Sequence, residues 1–167
     1  IPYSRQSISQ SDIKEVVRTL KSDFLTTGPQ ISKFEKKISK FLNVKYAVCV
    51  NSATSALHIS CLVLGLKKSE RFWTSTNSFV ASANCGELCE AELDLIDISL
   101  EDFNLSVEKL SKKLKQKKKP KVIIPVHLAG YPCNLKKIHS LKKKYNFKIL
   151  EDASHAFGSY YMNHKIG

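Results

Sequence analysis

The segment ILEDASHA, residues Ile149–Ala156, decides the fold that this sequence predicts. Residues 147–150, apolar except for Lys148, predict a strand, and the strand ends just before an acidic pair. In open α/β sheets, ligands bind at the carboxyl ends of the strands. Asp152 is therefore a candidate ligand-binding residue. The alternative is that Asp152 caps the following turn while His155 packs at the edge of the core.

Upstream of this segment, predicted strands and helices alternate along the chain. This order predicts an α/β fold with a mainly parallel sheet, right-handed crossovers and helices on the faces of the sheet. Two helices precede the alternation, with a Gly28-Pro29 loop between them, and a hairpin is predicted at 160–167. The predicted strands cover 46–50, 71–75, 93–98 and 122–126, and the predicted helices cover 56–66, 80–89, 107–114 and 135–145.

The turn Asn51–Ser55 lies between a predicted strand and a predicted helix, and it is rich in hydroxyl groups. A helix N-terminus presents free N–H groups and the positive end of the helix dipole, so it attracts anions. Ser52, Thr54 and Ser55 would add hydroxyl donors at this point. The sequence by itself leaves two interpretations open, an anion site and an ordinary Ser/Thr helix cap.

Composition places the chain among ordinary globular proteins. Its 167 residues suggest one domain, and the short apolar runs predict no membrane span. The first residues lack the pattern of a signal peptide, and five scattered cysteines suggest free thiols in a reducing cytoplasm and no metal site.

Charge is concentrated in one block of the sequence. The net charge is +12, and eight of the thirteen residues from Lys109 to Lys121 are lysine. A block of this kind can contact nucleic-acid phosphates. It lacks interleaved arginine and aromatic residues, however, so a solvated helix face is the favoured interpretation and no nucleic-acid partner is expected.

Five segments, taken together and in this order, resemble the pyridoxal-phosphate-dependent sugar aminotransferases of the DegT/DnrJ/EryC1/StrS family. The resemblance covers nearly the whole chain. It implies the large domain of the aspartate-aminotransferase-like transferase fold, with residues 1–167 as its N-terminal part. The segments are Phe24–Pro29, Asn51–His58, Ser78–Asn84, Ile124–Gly130 and Glu151–Gly158.

The resemblance assigns cofactor-binding roles to residues of this sequence. Asp152 would pair with the ring nitrogen of pyridoxal 5'-phosphate and keep it protonated. His155 would lie near the phenolic oxygen of the cofactor, and Phe79 would stack on its ring. Ser52, Ala53 and Thr54 would hold its phosphate, in agreement with the anion site suggested by the turn itself.

The resemblance also implies a substrate and partners. Tyr3, Phe24, Leu25, Thr26 and Ala53 match positions that contact a nucleotide-sugar substrate. Within the family the sequence is most similar to the branch that aminates C4 of a UDP-4-keto-6-deoxy-N-acetylhexosamine on the route to pseudaminic acid. L-glutamate is the amino donor that this branch implies, and the full-length enzyme is expected to be a homodimer.

The sequence departs from the family pattern in several places. Ser69-Glu70 stand where the family has Gly-Asp, and Glu90 stands where it has Gly, so we expect backbone strain at Glu90. The lysine that binds the cofactor covalently follows the aspartate motif in the family and is expected beyond Gly167, as is the small C-terminal domain. The piece alone is therefore expected to be inactive. Two alternatives remain open: a sugar dehydratase of the same family and a non-catalytic sugar-nucleotide-binding remnant.

Overall fold

The computed structural model divides the chain into two compact units, Ile1–Cys49 and Val50–Gly167. It describes residues 5–116 and 118–167. Within these residues, no helix combines the length and the apolar character that crossing a bilayer requires.

The first unit contains two helices whose ends follow from their capping residues. Helix α1 (Gln10–Leu20) begins after Ser9, which forms a capping box with Asp12. Helix α2 (Pro29–Leu42) has proline at its first position and ends at Asn43 in the left-handed conformation. Neither helix has a buried residue, so the apolar stripes that predicted both helices remain accessible in this structure.

The second unit alternates helices and strands, as the sequence predicted. Its four main strands are all parallel and lie in the order β2-β1-β3-β4. A short hairpin, β5 (Tyr160–Tyr161) and β6 (His164–Lys165), follows them. The preceding elements are α3 (Ala53–Val63), β1 (Arg71–Ser75), α4 (Ala81–Glu87), β2 (Glu92–Ile96), α5 (Val107–Lys113), β3 (Val122–Ile124), α6 (Leu135–Tyr145) and β4 (Lys148–Ile149).

The strand order determines which face of the sheet each helix covers. The step from β1 to β2 runs in one direction across the sheet, and the steps to β3 and β4 run in the other. Because such crossovers are right-handed, α4 lies on one face and α5 and α6 lie on the other. The chain therefore leaves the neighbouring strands β1 and β3 towards opposite faces. A crevice opens at such a switch point, at the carboxyl ends of these two strands.

The core consists of two apolar layers, one on each face of the sheet. Residues of α3 and α4, among them Leu57, Cys61 and Cys85, pack with Phe72 and Val122 of the strands. On the other face, residues of α5 and α6 pack with the alternate strand residues, and this second layer comprises Trp73, Ile96, Leu105, Leu110, Leu114, Ile123, Cys133, Ile138 and Phe147. Each central strand is buried on both faces, which explains its continuous apolar sequence.

The prediction of a strand at 46–50 was wrong. The structure assigns no strand there, and Tyr46 and Val48 are 74% and 82% exposed. The segment does not pair with any strand among the described residues. The prediction rested on the apolar run alone, and a β-strand also needs a neighbouring backbone to complete its hydrogen bonds. The predicted strands at 122–126 and 147–150 exist but are shorter, and α3 begins at Ala53 rather than at Ala56.

Candidate functional site

Asp152 lies at the carboxyl edge of the sheet, three residues beyond the end of β4. Its backbone N–H donates to the carbonyl of Pro125 at 2.9 Å, and its carbonyl accepts from the N–H of His127 at 3.1 Å. These bonds extend the pairing of β3 with β4 as an isolated parallel bridge between Val126 and Asp152. The backbone of Asp152 is thus fixed by the sheet, and the residue is only 6% exposed.

The carboxylate of Asp152 is held by neutral donors. Oδ1 accepts from the hydroxyl of Ser154 at 2.6 Å and from its backbone N–H at 3.1 Å. Oδ2 accepts from the hydroxyl of Ser82 at 2.6 Å. These short bonds orient both oxygens, and none of these donors carries a charge that would offset the buried carboxylate.

Ser82 was missed as a site residue by sequence reasoning. It lies on the first turn of α4, it is fully buried, and its hydroxyl is 2.8 Å from that of Ser78. Helical spacing could not identify this pair of serines, because Ser78 lies before both the predicted helix and α4. The contact of Ser82 with Asp152 had no local sequence signal either, since the two residues are separated by 70 positions.

The N-terminus of α3 points towards the same edge of the sheet as Asp152. At the other end of this helix, the carbonyls of Leu64 and Gly65 accept from the ammonium groups of Lys148 and Lys121, which lie at the amino ends of β4 and β3. The helix therefore runs antiparallel to the strands, and its first turn lies towards their carboxyl ends. Leu57 of α3 belongs to the apolar layer on the same face as α4.

The first turn of α3 has the geometry of an exposed helix cap. The Ser52 hydroxyl accepts from the N–H of Ser55 at 3.1 Å, and Ser55 donates to the side chain of Asn51 at 2.7 Å. Ala53 and Thr54 are exposed, and their N–H groups have no partner within the helix because of their position in its first turn. Both interpretations of the sequence are therefore compatible with this geometry, since Ser52 caps the helix while two exposed residues keep N–H groups without a partner in the helix.

Phe79 and His155 lie on turns that follow β1 and β4. Phe79 is 71% exposed, which is unusual for a large aromatic side chain. His155 is exposed, and its carbonyl lies 3.0 Å from the place where a β-carbon on Gly130 would stand. The Ser159 hydroxyl donates to the carbonyl of Gly130 at 2.7 Å. The loop that carries His155 is thus packed directly on Gly130.

A buried histidine next to the site was also missed. The ring of His127 is inaccessible, its Nδ1 accepts from the N–H of Cys133 at 3.0 Å, and its Nε2 lies 3.1 Å from a carboxylate oxygen of Glu151. Since Nδ1 accepts, Nε2 carries the proton and donates to Glu151. The pair ties the loop after β3 to the residue before Asp152.

Among the predicted substrate residues that the structure describes, Ala53 lies in the second unit, and the others lie in the first unit. Tyr3 is outside the described residues. Phe24 and Leu25 are each 64% exposed, and Thr26 is also exposed. The interaction of these residues with a substrate stays a prediction.

The cysteines are present as free thiols in the structure. The sulfur atoms of Cys61 and Cys85 are 3.7 Å apart in the core between α3 and α4. The hydrogen bond with Cys61 and burial raise the pKa of the Cys85 thiol well above its ordinary value, so this sulfur is a packing group rather than a nucleophile. Among residues 5–116 and 118–167, no group of three or more His, Cys, Asp or Glu side chains is arranged to hold a metal ion.

Several lysines of the basic block pair with acidic residues in the second unit. Lys109 pairs with Asp97, and Lys113 pairs with Asp94 at 2.5 Å while its ammonium lies over the ring of Trp73. Lys121 pairs with Glu70. Such pairs anchor α5 and the start of β3 to the sheet, so this part of the block has a structural role.

Comparison with known protein sequences identifies the family to which this chain is similar. A model of the DegT/DnrJ/EryC1/StrS aminotransferase family matches residues 6–167. The UDP-4-amino-4,6-dideoxy-N-acetyl-beta-L-altrosamine transaminase of Campylobacter jejuni is 37% identical over 168 residues. That match covers 100% of this chain and 44% of the relative, so the chain spans less than half of the relative's length.

Solved structures agree in fold with this chain. A Streptococcus pneumoniae protein described as a sugar aminotransferase, in its PLP form, superposes with a TM-score of 0.91 at 31% identity, covering 100% of this chain and 46% of that one. A Helicobacter pylori aminotransferase involved in the biosynthesis of pseudoaminic acid gives a TM-score of 0.89 at 33% identity, covering 99% and 44%. The predicted fold, a mainly parallel sheet flanked by helices as in these aminotransferases, is therefore confirmed.

Proposed function

Since the chain belongs to the DegT/DnrJ/EryC1/StrS aminotransferase family, we propose that it is the cofactor-binding part of an enzyme that aminates a nucleotide-linked keto sugar. The cofactor is pyridoxal 5'-phosphate and the amino donor is L-glutamate. The substrate is a UDP-4-keto-6-deoxy-N-acetylhexosamine, aminated at C4 as on the route to pseudaminic acid. The names of the Campylobacter and Helicobacter relatives support this choice of substrate.

One observation carries the proposal: a buried carboxylate whose hydrogen-bond donors are neutral. Burying an ion is costly unless an opposite charge accompanies it. The Asp152 carboxylate is 6% exposed and accepts from two serine hydroxyls and one backbone N–H. A cationic ligand at this edge would supply the missing positive charge. The protonated ring nitrogen of pyridoxal phosphate is a ligand group of this kind.

The surrounding residues fit the other parts of the cofactor. The outward N–H groups of Ala53 and Thr54, with the Ser52 hydroxyl, suit a phosphate at the first turn of α3. The exposed ring of Phe79 suits stacking on a flat heterocycle. His155, on the loop that follows Asp152, would face the phenolic oxygen.

Each residue then has a defined task. When bound, pyridoxal phosphate supplies an electron sink for the transfer of the amino group. Asp152 holds a proton on the ring nitrogen, Ala53 and Thr54 bind the phosphate, and Phe79 covers one face of the ring and excludes water. Tyr3, Phe24, Leu25 and Thr26 would contact the nucleotide sugar, and a second copy of the protein would complete the site in a homodimer.

The test is the product that the full-length protein forms. With pyridoxal phosphate, L-glutamate and the UDP-4-keto sugar, mass spectrometry should detect an amino sugar, and Asp152→Asn should reduce its formation by about a hundredfold or more because the charged partner is lost. A product that has lost a hydroxyl without gaining nitrogen would indicate the dehydratase instead. Sugar-nucleotide binding without any product would indicate a non-catalytic role.

A further inference from the structure

The Ser82 hydroxyl donates a hydrogen bond to one oxygen of the Asp152 carboxylate, Oδ2. We infer that Ser82 is a positioning residue that directs Oδ2 of Asp152 towards the ring nitrogen of the cofactor. The inference rests on the proposed function and deepens it. It is carried by the contacts of the two Asp152 oxygens and by the burial of Ser82.

The two oxygens of Asp152 are occupied to different degrees. A carboxylate oxygen has two lone-pair directions for accepting hydrogen bonds. Oδ1 uses both on Ser154, which donates from its N–H and its hydroxyl. Oδ2 uses one on the Ser82 hydroxyl. The direction that these contacts leave for a ligand donor is therefore on Oδ2, the same atom that Ser82 contacts.

The direction of each hydrogen bond around Ser82 follows from its chemistry. An ionised carboxylate accepts and does not donate, so the single hydroxyl proton of Ser82 goes to Oδ2. The oxygen of Ser82 can then accept from the Ser78 hydroxyl at 2.8 Å, which is shorter than the 3.1 Å from that hydroxyl to its other acceptor, the carbonyl of Phe79. Ser78 then donates to Ser82, and Ser82 donates to Asp152. These two hydrogen bonds in series end on Oδ2, the oxygen that faces the ligand.

Ser82 is also held in place by the core. It is fully buried on α4, between Ala81 and Cys85, which pack in the apolar layer with Phe72. Groups on rigid, packed elements hold a ligand-binding atom more accurately than groups on loops. Ser154, in contrast, lies on the exposed turn after Asp152. The two serines therefore differ both in the oxygen that they contact and in how firmly they are anchored.

This difference predicts that the two serines contribute unequally to cofactor binding. Without the Ser82 hydroxyl, Oδ2 loses its only orienting bond among the contacts described above. We expect Ser82→Ala to weaken binding of pyridoxamine phosphate about tenfold, the usual size of a lost hydrogen bond to a charged group. Ser154→Ala should have a smaller effect, because the N–H of residue 154 still donates to Oδ1.

The experiment compares two ligands by calorimetry with the full-length protein. One is pyridoxamine phosphate, and the other is its analogue with carbon in place of the ring nitrogen. Ser82→Ala should weaken binding of the first about tenfold and of the second by no more than about twofold. Ser82→Thr keeps a hydroxyl and should restore most of the affinity. Thermal unfolding of each variant without ligand checks that it is folded.

The outcomes separate this inference from the function on which it rests. An equal loss for both ligands would show that Ser82 only supports the fold, and the inference would be overturned while the proposed function stood. Unchanged affinity in Ser82→Ala would have the same meaning. If the unaltered protein bound neither ligand, the proposed function would fail and this inference with it.

Discussion

Acidic groups at opposite edges of the sheet in the second unit, Glu70 and Glu92 at one and Asp152 at the other, differ in burial and in the charge of their partners. At the amino edge, Lys121 donates to the carboxylate of Glu70 at 2.7 Å, and Arg71 pairs with Glu92 at 2.6 Å. At the carboxyl edge, Asp152 is more deeply buried than any of these groups, and the donors to its carboxylate, from Ser82 and Ser154, are neutral.

This difference between the two edges indicates at which edge of the sheet a ligand binds. Partly exposed ion pairs contribute modestly to stability and leave no charge for a ligand. A buried carboxylate without a charged donor costs stability in the free protein, and a cationic ligand recovers that cost on binding. Changes at the carboxyl edge should therefore alter ligand affinity, and changes at the amino edge should alter stability alone.

Asp152→Asn should give the largest effect. Cofactor affinity is expected to fall about a hundredfold, because the buried charge partner of the ring nitrogen is lost. Stability of the ligand-free protein should not fall, since a buried charge is removed. Glu70→Gln at the other edge is the matched control and should leave affinity unchanged. Equal losses of affinity in the two variants, measured by calorimetry, would contradict the contrast between the edges.

Gly130→Ala should give the next largest effect, at the carboxyl edge. Gly130 has φ +85°, and a β-carbon there would lie 3.0 Å from the carbonyl oxygen of His155. We expect a loss of about 1–3 kcal/mol in the free energy of unfolding, together with weaker cofactor binding as the His155 loop shifts. Gly158→Ala is the control. Gly158 has φ +88°, and a β-carbon there would meet no atom within 4 Å beyond the adjacent residues, so only the backbone strain should appear.

Lys121→Met should reduce stability by about 1 kcal/mol and leave cofactor affinity unchanged. Hydrogen bonds from Lys121 lower the pKa of Glu70 below its ordinary value of 4.5. A carboxyl group whose pKa is lowered by folding stabilises the protein above its unfolded pKa and loses that contribution as the pH falls through the folded pKa. In chemical denaturation, the difference in the free energy of unfolding between wild type and variant should be largest above about pH 4.5 and should become smaller below it.

Glu90→Gly should give the smallest effect, and it should be stabilising. Glu90 has φ +55°, in the left-handed region where a glutamate is strained, and Ser69, whose N–H donates to the carbonyl of Glu90, has φ +62°. Relief of this strain should raise the free energy of unfolding by about 0.5–1 kcal/mol. The ion pair of Glu90 with Lys68 is largely exposed, so its loss offsets little. A lower melting temperature, or altered cofactor affinity, would contradict this account.

Local sequence patterns were sufficient for much of the fold. Apolar runs and capping residues predicted the alternation of strands and helices, because these signals act within one or two turns of the chain. Ser52, Ser106 and Asn134 cap α3, α5 and α6 through their own side chains. The place of Asp152 at the end of a strand was predicted in the same way.

Only the tertiary structure decided how distant segments meet. The Ser82–Asp152 bond joins positions 70 residues apart, and it depends on the strand order and on the face that α4 covers. The exposed segment 46–50 shows the converse, since its apolar pattern was strong but no described strand pairs with it. Pairing needs a partner backbone at the right distance. The sequence alone thus determined which residues form elements, whereas packing of the sheet determined which side chains share a site.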